Sequence, residues 1–156
     1  MRSTPPQSKT KWVIGSKEYI DFPDWHIRRI RARVDTGAKT CALHVENIEV
    51  LPKNHLRFTV VLRHNHPQNR MKIKAAYHRK GHVRSSSGKS TSRYFVWANV
   101  RIGPVKRKVE VNLIDRSKMR YRMLIGRSAL DKWFIVDVAH SYLLSSRLKA
   151  GKKKKR

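Results

Sequence analysis

The sequence predicts a mainly β protein, a small closed or partly open β-barrel with one short helix towards its C-terminal end. Three observations predict this class. Several stretches alternate apolar and polar residues with the period of a strand, turn residues separate these stretches, and good helix formers cluster at one place only. The length of 156 residues suits a single domain with its own apolar core.

Five stretches carry the strand pattern. From Arg29 to Val34, arginines alternate strictly with apolar residues, as in a strand that buries one face and exposes the other. The remaining strands are predicted at residues 56–62, 71–77, 94–102 and 105–113. Helix formers are concentrated at residues 127–133, so the single short helix is expected there.

Charge is the dominant feature of the composition. The chain has 37 Lys and Arg against 10 Asp and Glu, which gives a formal net charge of +27. A field of this sign attracts polyanions, so nucleic acid, acidic lipid and acidic protein are all candidate partners. A basic surface that only keeps the protein soluble is the alternative, because net charge informs association and not fold.

The two ends of the sequence read as tails around one domain. Residues 1–9 are expected to be a disordered N-terminal tail, residues 10–146 the folded domain, and residues 147–156 a disordered basic tail. The N-terminus has no apolar signal segment, and no window is long and apolar enough to span a membrane. The single cysteine, Cys41, excludes an internal disulfide, so a cytoplasmic location is expected.

A carboxylate stands directly after the first alternating strand, in the sequence Asp35-Thr36-Gly37-Ala38. An acid at a strand end is expected in a tight loop, where Gly37 allows a close backbone approach that a β-carbon would block. Thr36 adds a short hydroxyl that can bond backbone groups across the loop. A plain turn is the alternative, because Asp and Gly are common turn residues.

A second motif, farther along the chain, completes a recognisable pattern. The apolar run Met123-Leu124-Ile125 is followed by Gly126-Arg127 at the start of the predicted helix. With the Asp35 loop, this resembles a retropepsin-like aspartic protease domain, in particular the prokaryotic group named ATP-dependent zinc proteases. The ordered matches lie at residues 31–38, 83–88, 115–127 and 136–137, and the resemblance spans about residues 11–145.

The resemblance implies an aspartic endopeptidase that works as a homodimer, without cofactor or metal. Each chain has one Asp-Thr-Gly, so Asp35 would pair with Asp35 of a second copy and share one proton with it. The loop around this acid would be supported by Thr36, Gly37, Ala38, Leu124, Ile125, Gly126 and Arg127.

One position departs from the viral relatives. They have an Asp where this chain has Lys39, and that Asp pairs with the arginine of the Gly-Arg motif. The partner of Arg127 is therefore open here, with Asp115, Asp131 and Asp137 as candidate acids.

A run of small polar residues lies between two predicted strands, and the resemblance makes it the flap that closes over substrate. The flap residues are Ser85, Ser86, Ser87 and Gly88. The alternative is a phosphate-binding loop that ends in Gly88-Lys89-Ser90. Val83 argues against it, because that motif requires Gly there and a helix afterwards.

Two other chemistries receive weaker support. Eight histidines are present, and His64 and His66 have the spacing of two ligands on one strand face. A zinc cluster is therefore the alternative, but no metal is expected. Cys41 and His44 are poorly spaced for a catalytic pair, because an offset of three places them on opposite faces of a strand. Cys41 is expected to be a small buried residue.

Two functions follow from these observations. The first is an aspartic endopeptidase with a peptide or protein substrate, acidic ones included. The alternative is a non-catalytic basic β-barrel module that binds nucleic acid or an acidic protein through its surface. Arginines of the first alternating strand are the natural contacts in that case, namely Arg28, Arg29, Arg31 and Arg33.

Overall fold

The computed structural model describes residues 10–62, 69–85, 87–115 and 120–145. Its strands are β1 (Trp12–Gly15), β2 (Lys17–Phe22), β3 (Ile27–Val34), β4 (Cys41–Leu51), β5 (His55–Val61), β6 (Arg70–Arg84), β7 (Ser90–Ile102), β8 (Val105–Ile114), β9 (Met123–Ile125) and β10 (Phe134–Asp137). Helix α1 (Arg127–Leu130) lies between β9 and β10, and a 3-10 turn (Pro23–Trp25) joins β2 to β3. The predicted tails, residues 1–9 and 147–156, lie outside the described residues.

The strands form a ring, which confirms the predicted barrel. Eight of them make one sheet in the order β2-β3-β9-β4-β5-β6-β7-β8. Two additional pairings, β2 with β7 and β4 with β8, close this sheet on itself. The parallel pair β1 and β10 forms a separate two-stranded sheet. In the part of the chain that the structure describes, no helix is long and apolar enough to cross a membrane.

The core follows the alternation where one face of a strand is buried. Ile30 and Ala32 of β3 are fully buried, whereas Arg31 and Arg33 are exposed. The pattern missed β4 because its first five residues, beginning at Cys41, are all buried. A strand covered on both faces shows no polar alternation.

A buried carboxylate fixes the C-terminal segment to the barrel. Glu18 faces inwards from β2 and is fully buried. Its two oxygens accept hydrogen bonds from the backbone N–H of Gly15 (2.9 Å), Leu143 (3.0 Å), Leu144 (3.3 Å) and Ser145 (3.2 Å), and from the Ser145 hydroxyl (2.9 Å). This carboxylate therefore ties three consecutive C-terminal residues to the first strands.

Candidate active site

The Asp35 loop begins where β3 ends, and backbone hydrogen bonds set its shape. The Asp35 N–H donates to the carbonyl of Ile125 at 2.9 Å, and the Ala38 N–H donates to the Asp35 carbonyl at 3.2 Å. The Gly37 N–H donates to Asp35 Oδ1 at 3.0 Å. These contacts orient the carboxylate, which is half-buried, while Thr36 and Gly37 beside it are exposed.

Strand β9 lies beside β3 and supports the Asp35 loop. The two strands run parallel, with Val34 opposite Ile125. Gly126 comes next, and a β-carbon built on it would lie 2.3 Å from the Thr40 carbonyl oxygen and 3.0 Å from that of Ala38. The backbone of Gly126 has φ −88°, which any residue can adopt, so close packing and not a turn explains the glycine.

Gly126→Ala is expected to destabilise the fold by about 3 kcal/mol, because the new methyl group meets main-chain atoms that cannot rotate away. Urea unfolding measures the loss. Gly88→Ala is the matched control: its β-carbon meets open space, and its φ of +85° should cost only about 1–2 kcal/mol. Equal stabilities of Gly126→Ala and the wild type would contradict the tight packing.

Arg127 contacts the loop backbone and not an acid. Its Nη1 donates to the carbonyl of Thr36 at 2.9 Å. Its backbone N–H donates to the carbonyl of Ala38 at 2.8 Å, and that of Ser128 to Lys39 at 2.9 Å. The N–H groups of the first turn of α1 therefore bind the carbonyls of the loop. Within the described ranges, Arg127 forms no ion pair with any of the three acids that the sequence left open.

The residues assigned to the flap lie at the turn between β6 and β7. Arg84 pairs with Ser90 at the end of the two strands, and the Ser85 N–H donates to the Lys89 carbonyl at 2.8 Å. Gly88 has the positive φ that this tight turn requires. Ser87 lies in the same turn, its hydroxyl 2.7 Å from that of Ser85. Ser86 lies outside the described residues. A hairpin turn between two strands also differs from the strand-to-helix setting of a phosphate-binding loop.

A groove of about 680 Å³ connects the Asp35 loop with this hairpin. Asp35, Leu124 and Ser85 line it together, so the structure brings the predicted catalytic acid and part of the predicted flap to one cavity. Five basic side chains also line it, namely Lys39, Arg79, His82, Arg84 and Arg93. Among the described lining residues Asp35 is the one acid, so the groove carries positive charge.

A buried polar network in this groove was missed in the sequence. Asn112 donates from Nδ2 to Thr40 Oγ1 at 3.0 Å and to the Cys41 carbonyl at 2.8 Å. Arg93 donates from Nη1 to Asn112 Oδ1 at 2.8 Å. This network holds the end of the Asp35 loop against β7 and β8. The sequence hints at this network only through Asn112, an amide among the apolar residues of β8. The alternation predicts that Asn112 faces solvent.

Cys41 and the histidines were the candidates for other chemistries. Cys41 is fully buried, as predicted, and burial raises the pKa of its thiol to about 11, so it is a poor nucleophile. His78 stacks on Trp97 at 4.9 Å and contacts Glu110. No group of three or more metal-ligating side chains occurs in the ranges described above, and His64 and His66 lie outside them.

Comparison with known proteins agrees with this architecture. The fold matches the crystal structure of Lpg0085, a Legionella pneumophila protein of unknown function, with a TM-score of 0.71 and 27% identity over 86% of this chain and 99% of that one. Proteins named probable alpha-L-glutamate ligase from Shewanella pealeana and Shewanella halifaxensis are each 34% identical over 90% and 88% of this chain. The chain spans only 31% of the length of each.

The family match is the most specific of these results. Residues 13–147 match the RimB-like family, described as the retropepsin-like aspartic endopeptidase RimB. The match includes both the Asp35 loop and the Gly126-Arg127 motif, and it confirms the resemblance read from the sequence. The chain therefore belongs to the RimB-like family of retropepsin-like proteins.

Proposed function

We propose that this protein is an aspartic endopeptidase whose catalytic centre forms when two chains bring their Asp35 loops together. The observation that carries the proposal is the half-exposed Asp35 carboxylate, held by its loop at the edge of a groove that also contacts the hairpin turn. The family to which the chain belongs supports it. Thr36 would brace the paired loops, as the resemblance implies.

The chemistry needs two carboxylates and one water. Two carboxylates that touch cannot both ionise at low cost, so they share a proton. The ionised carboxylate takes a proton from water, whose oxygen attacks the peptide carbonyl, while the protonated one gives its proton to the carbonyl oxygen. One hydroxyl of the resulting gem-diol then returns its proton to the centre as the C–N bond breaks, and the nitrogen leaves as an amine after taking a proton from the other carboxyl. Because this chain contains a single Asp-Thr-Gly, the second carboxylate comes from another copy. The exposed Thr36 and Gly37 leave the loop open to such a copy.

We further propose acidic, glutamate-rich peptides as the substrate class. The groove combines one acid with four Lys or Arg side chains. Arg79 is paired with Glu110, and the positive charge that remains favours negatively charged segments. The curated relatives are named for ligation of glutamate, and this chain covers about a third of them. A peptidase domain that acts on glutamate-containing chains is consistent with the names of these relatives. The reducing cytoplasm is the expected location, in line with the buried thiol of Cys41.

A mixed-subunit assay tests the shared centre. A fluorogenic peptide rich in Glu is cleaved by wild-type protein, with a Gln-rich peptide of equal length as the substrate control. Asp35→Asn chain is then added to a fixed amount of wild type. If subunits exchange freely, one equivalent should lower the activity per wild-type chain by about half, because half of the wild-type chains enter mixed dimers.

Asp24→Asn is the matched added chain, because Asp24 lies on the exposed 3-10 turn and binds Asn99 outside the groove. Adding it should raise the total activity. If adding the Asp35→Asn chain does not change the activity per wild-type chain, the two-chain centre is contradicted. Equal cleavage of the Glu-rich and Gln-rich peptides would contradict the substrate class and leave the peptidase assignment standing.

A further inference from the structure

The outer face of β2 and β3 concentrates positive charge and aromatic rings. Cross-strand neighbours there are Lys17 with Arg33 and Tyr19 with Arg31. Two further tyrosines and an arginine join from later in the chain. We call this surface the cationic strip, and it consists of Lys17, Tyr19, Arg31, Arg33, Arg120, Tyr121 and Tyr142. None of its residues lines the groove beside Asp35.

The charges of the strip oppose each other. Lys17 and Arg33 face each other directly across two strands, an arrangement that destabilises a sheet through like-charge repulsion. In the part of the chain that the structure describes, no carboxylate lies within ion-pairing distance of the four strip cations. The fold therefore keeps a repulsive pair that an external anion would neutralise.

Other arginines of the same barrel behave differently. Arg57 pairs with Glu49 at 3.2 Å, Arg70 with Glu46 at 2.6 Å, and Arg79 with Glu110 at 2.7 Å. Three of the ten acidic residues of the chain therefore form ion pairs with arginines on strands β5 and β6. The unpaired strip is therefore a local feature and not a uniform consequence of the +27 charge.

Aromatic rings lie between the strip cations. The Tyr19 and Tyr142 rings stack with centroids 5.0 Å apart. Arg31 donates from Nε to the Tyr142 hydroxyl at 2.7 Å, and its guanidinium lies 5.3 Å from the Tyr121 ring centroid. Lys17 lies over the same Tyr121 ring at 5.7 Å. Lys17 and Arg31 are thus positioned by contacts with aromatic side chains.

We propose that the cationic strip binds single-stranded nucleic acid. Lys17, Arg31 and Arg33 lie close together on two adjacent strands and match a phosphate backbone. Tyr121 is buried beneath them, so the surfaces left for unpaired bases to stack on are the exposed Arg31 guanidinium and the partly exposed Tyr19 and Tyr142 rings. An acidic protein would use the cations but has no need of the rings, so the combination favours nucleic acid. The inference stands apart from the proposed peptidase activity, because it uses none of the groove residues.

The test compares two charge-matched double variants for binding of a short fluorescein-labelled oligouridylate. Lys17→Gln/Arg33→Gln removes the facing pair of the strip. Arg57→Gln/Arg70→Gln removes two arginines that are paired with glutamates, and so lowers the net charge equally. Fluorescence anisotropy over a salt series measures affinity and its salt dependence. The strip variant should bind more weakly, with the slope of log K against log salt reduced by about 1.4, since each lost phosphate contact on a single strand removes about 0.7.

Each outcome decides the proposal. The strip variant should also unfold no earlier than the wild type, because it relieves like-charge repulsion, which separates loss of binding from loss of fold. Equal losses in both double variants would overturn the proposal, since binding would then reflect the general field. A polyglutamate peptide that binds as tightly as the RNA, and through the same two residues, would also overturn it and assign the strip to acidic proteins.

Discussion

Asn in place of Asp35 should abolish peptide cleavage and leave the barrel folded. Both carboxylates of a two-chain centre are lost at once, and with them the base that activates water and the acid that polarises the carbonyl. A loss of at least about 10²- to 10⁴-fold in kcat is expected, the range that positioned acid–base groups supply. The Asn side chain keeps an oxygen where Asp35 Oδ1 accepts the Gly37 N–H, so the loop should retain its shape.

Steady-state cleavage of the Glu-rich peptide and thermal unfolding together check this prediction. Asp24→Asn removes the same charge on an exposed turn and should keep wild-type activity. Full activity in Asp35→Asn would remove the acid from the mechanism and leave a basic barrel without a hydrolytic centre. A large fall in unfolding temperature would instead assign Asp35 a structural part.

Glu18→Ala should destabilise the fold by about 3–5 kcal/mol. The substitution removes the acceptor of several buried N–H groups at once, including those of Gly15, Leu143 and Ser145. Each buried donor without a partner costs about 1–3 kcal/mol, partly relieved if the segment detaches into water. Detachment of residues 143–145 is therefore expected together with the loss of stability.

Urea unfolding measures the stability, and limited proteolysis detects release of the C-terminal segment. Glu49→Ala serves as the control, because Glu49 is an exposed partner of Arg57 and such pairs contribute at most about 1 kcal/mol. If Glu18→Ala and Glu49→Ala unfold at the same urea concentration, the buried carboxylate does not fasten the segment.

The sequence predicted those strands that bury one face in the core and expose the other to water. Strand β3 alternates because Ile30 and Ala32 enter the core while Arg31 and Arg33 meet water. The first half of strand β4 escaped detection because both of its faces are covered. The closure between β2 and β7 was also beyond reach, because pairing of distant strands depends on the whole barrel and not on a local pattern.

The candidate site shows the same division. Asp35 and Gly126 could be singled out because each belongs to a short motif, and their roles in catalysis stay predictions. Glu18 and Asn112 were missed because their burial arises from segments distant in sequence. Glu18 shares the inward face of β2 with Ile20 and Phe22, and an acid in that register is the signal that could have revealed it.

Helix α1 binds the Asp35 loop through hydrogen bonds to main-chain atoms of the loop. Carbonyls of Thr36, Ala38 and Lys39 receive the bonds, and any amino acid offers the same carbonyl. The bond at position 39 is therefore independent of its side chain, so a lysine there leaves the contact between α1 and the loop intact.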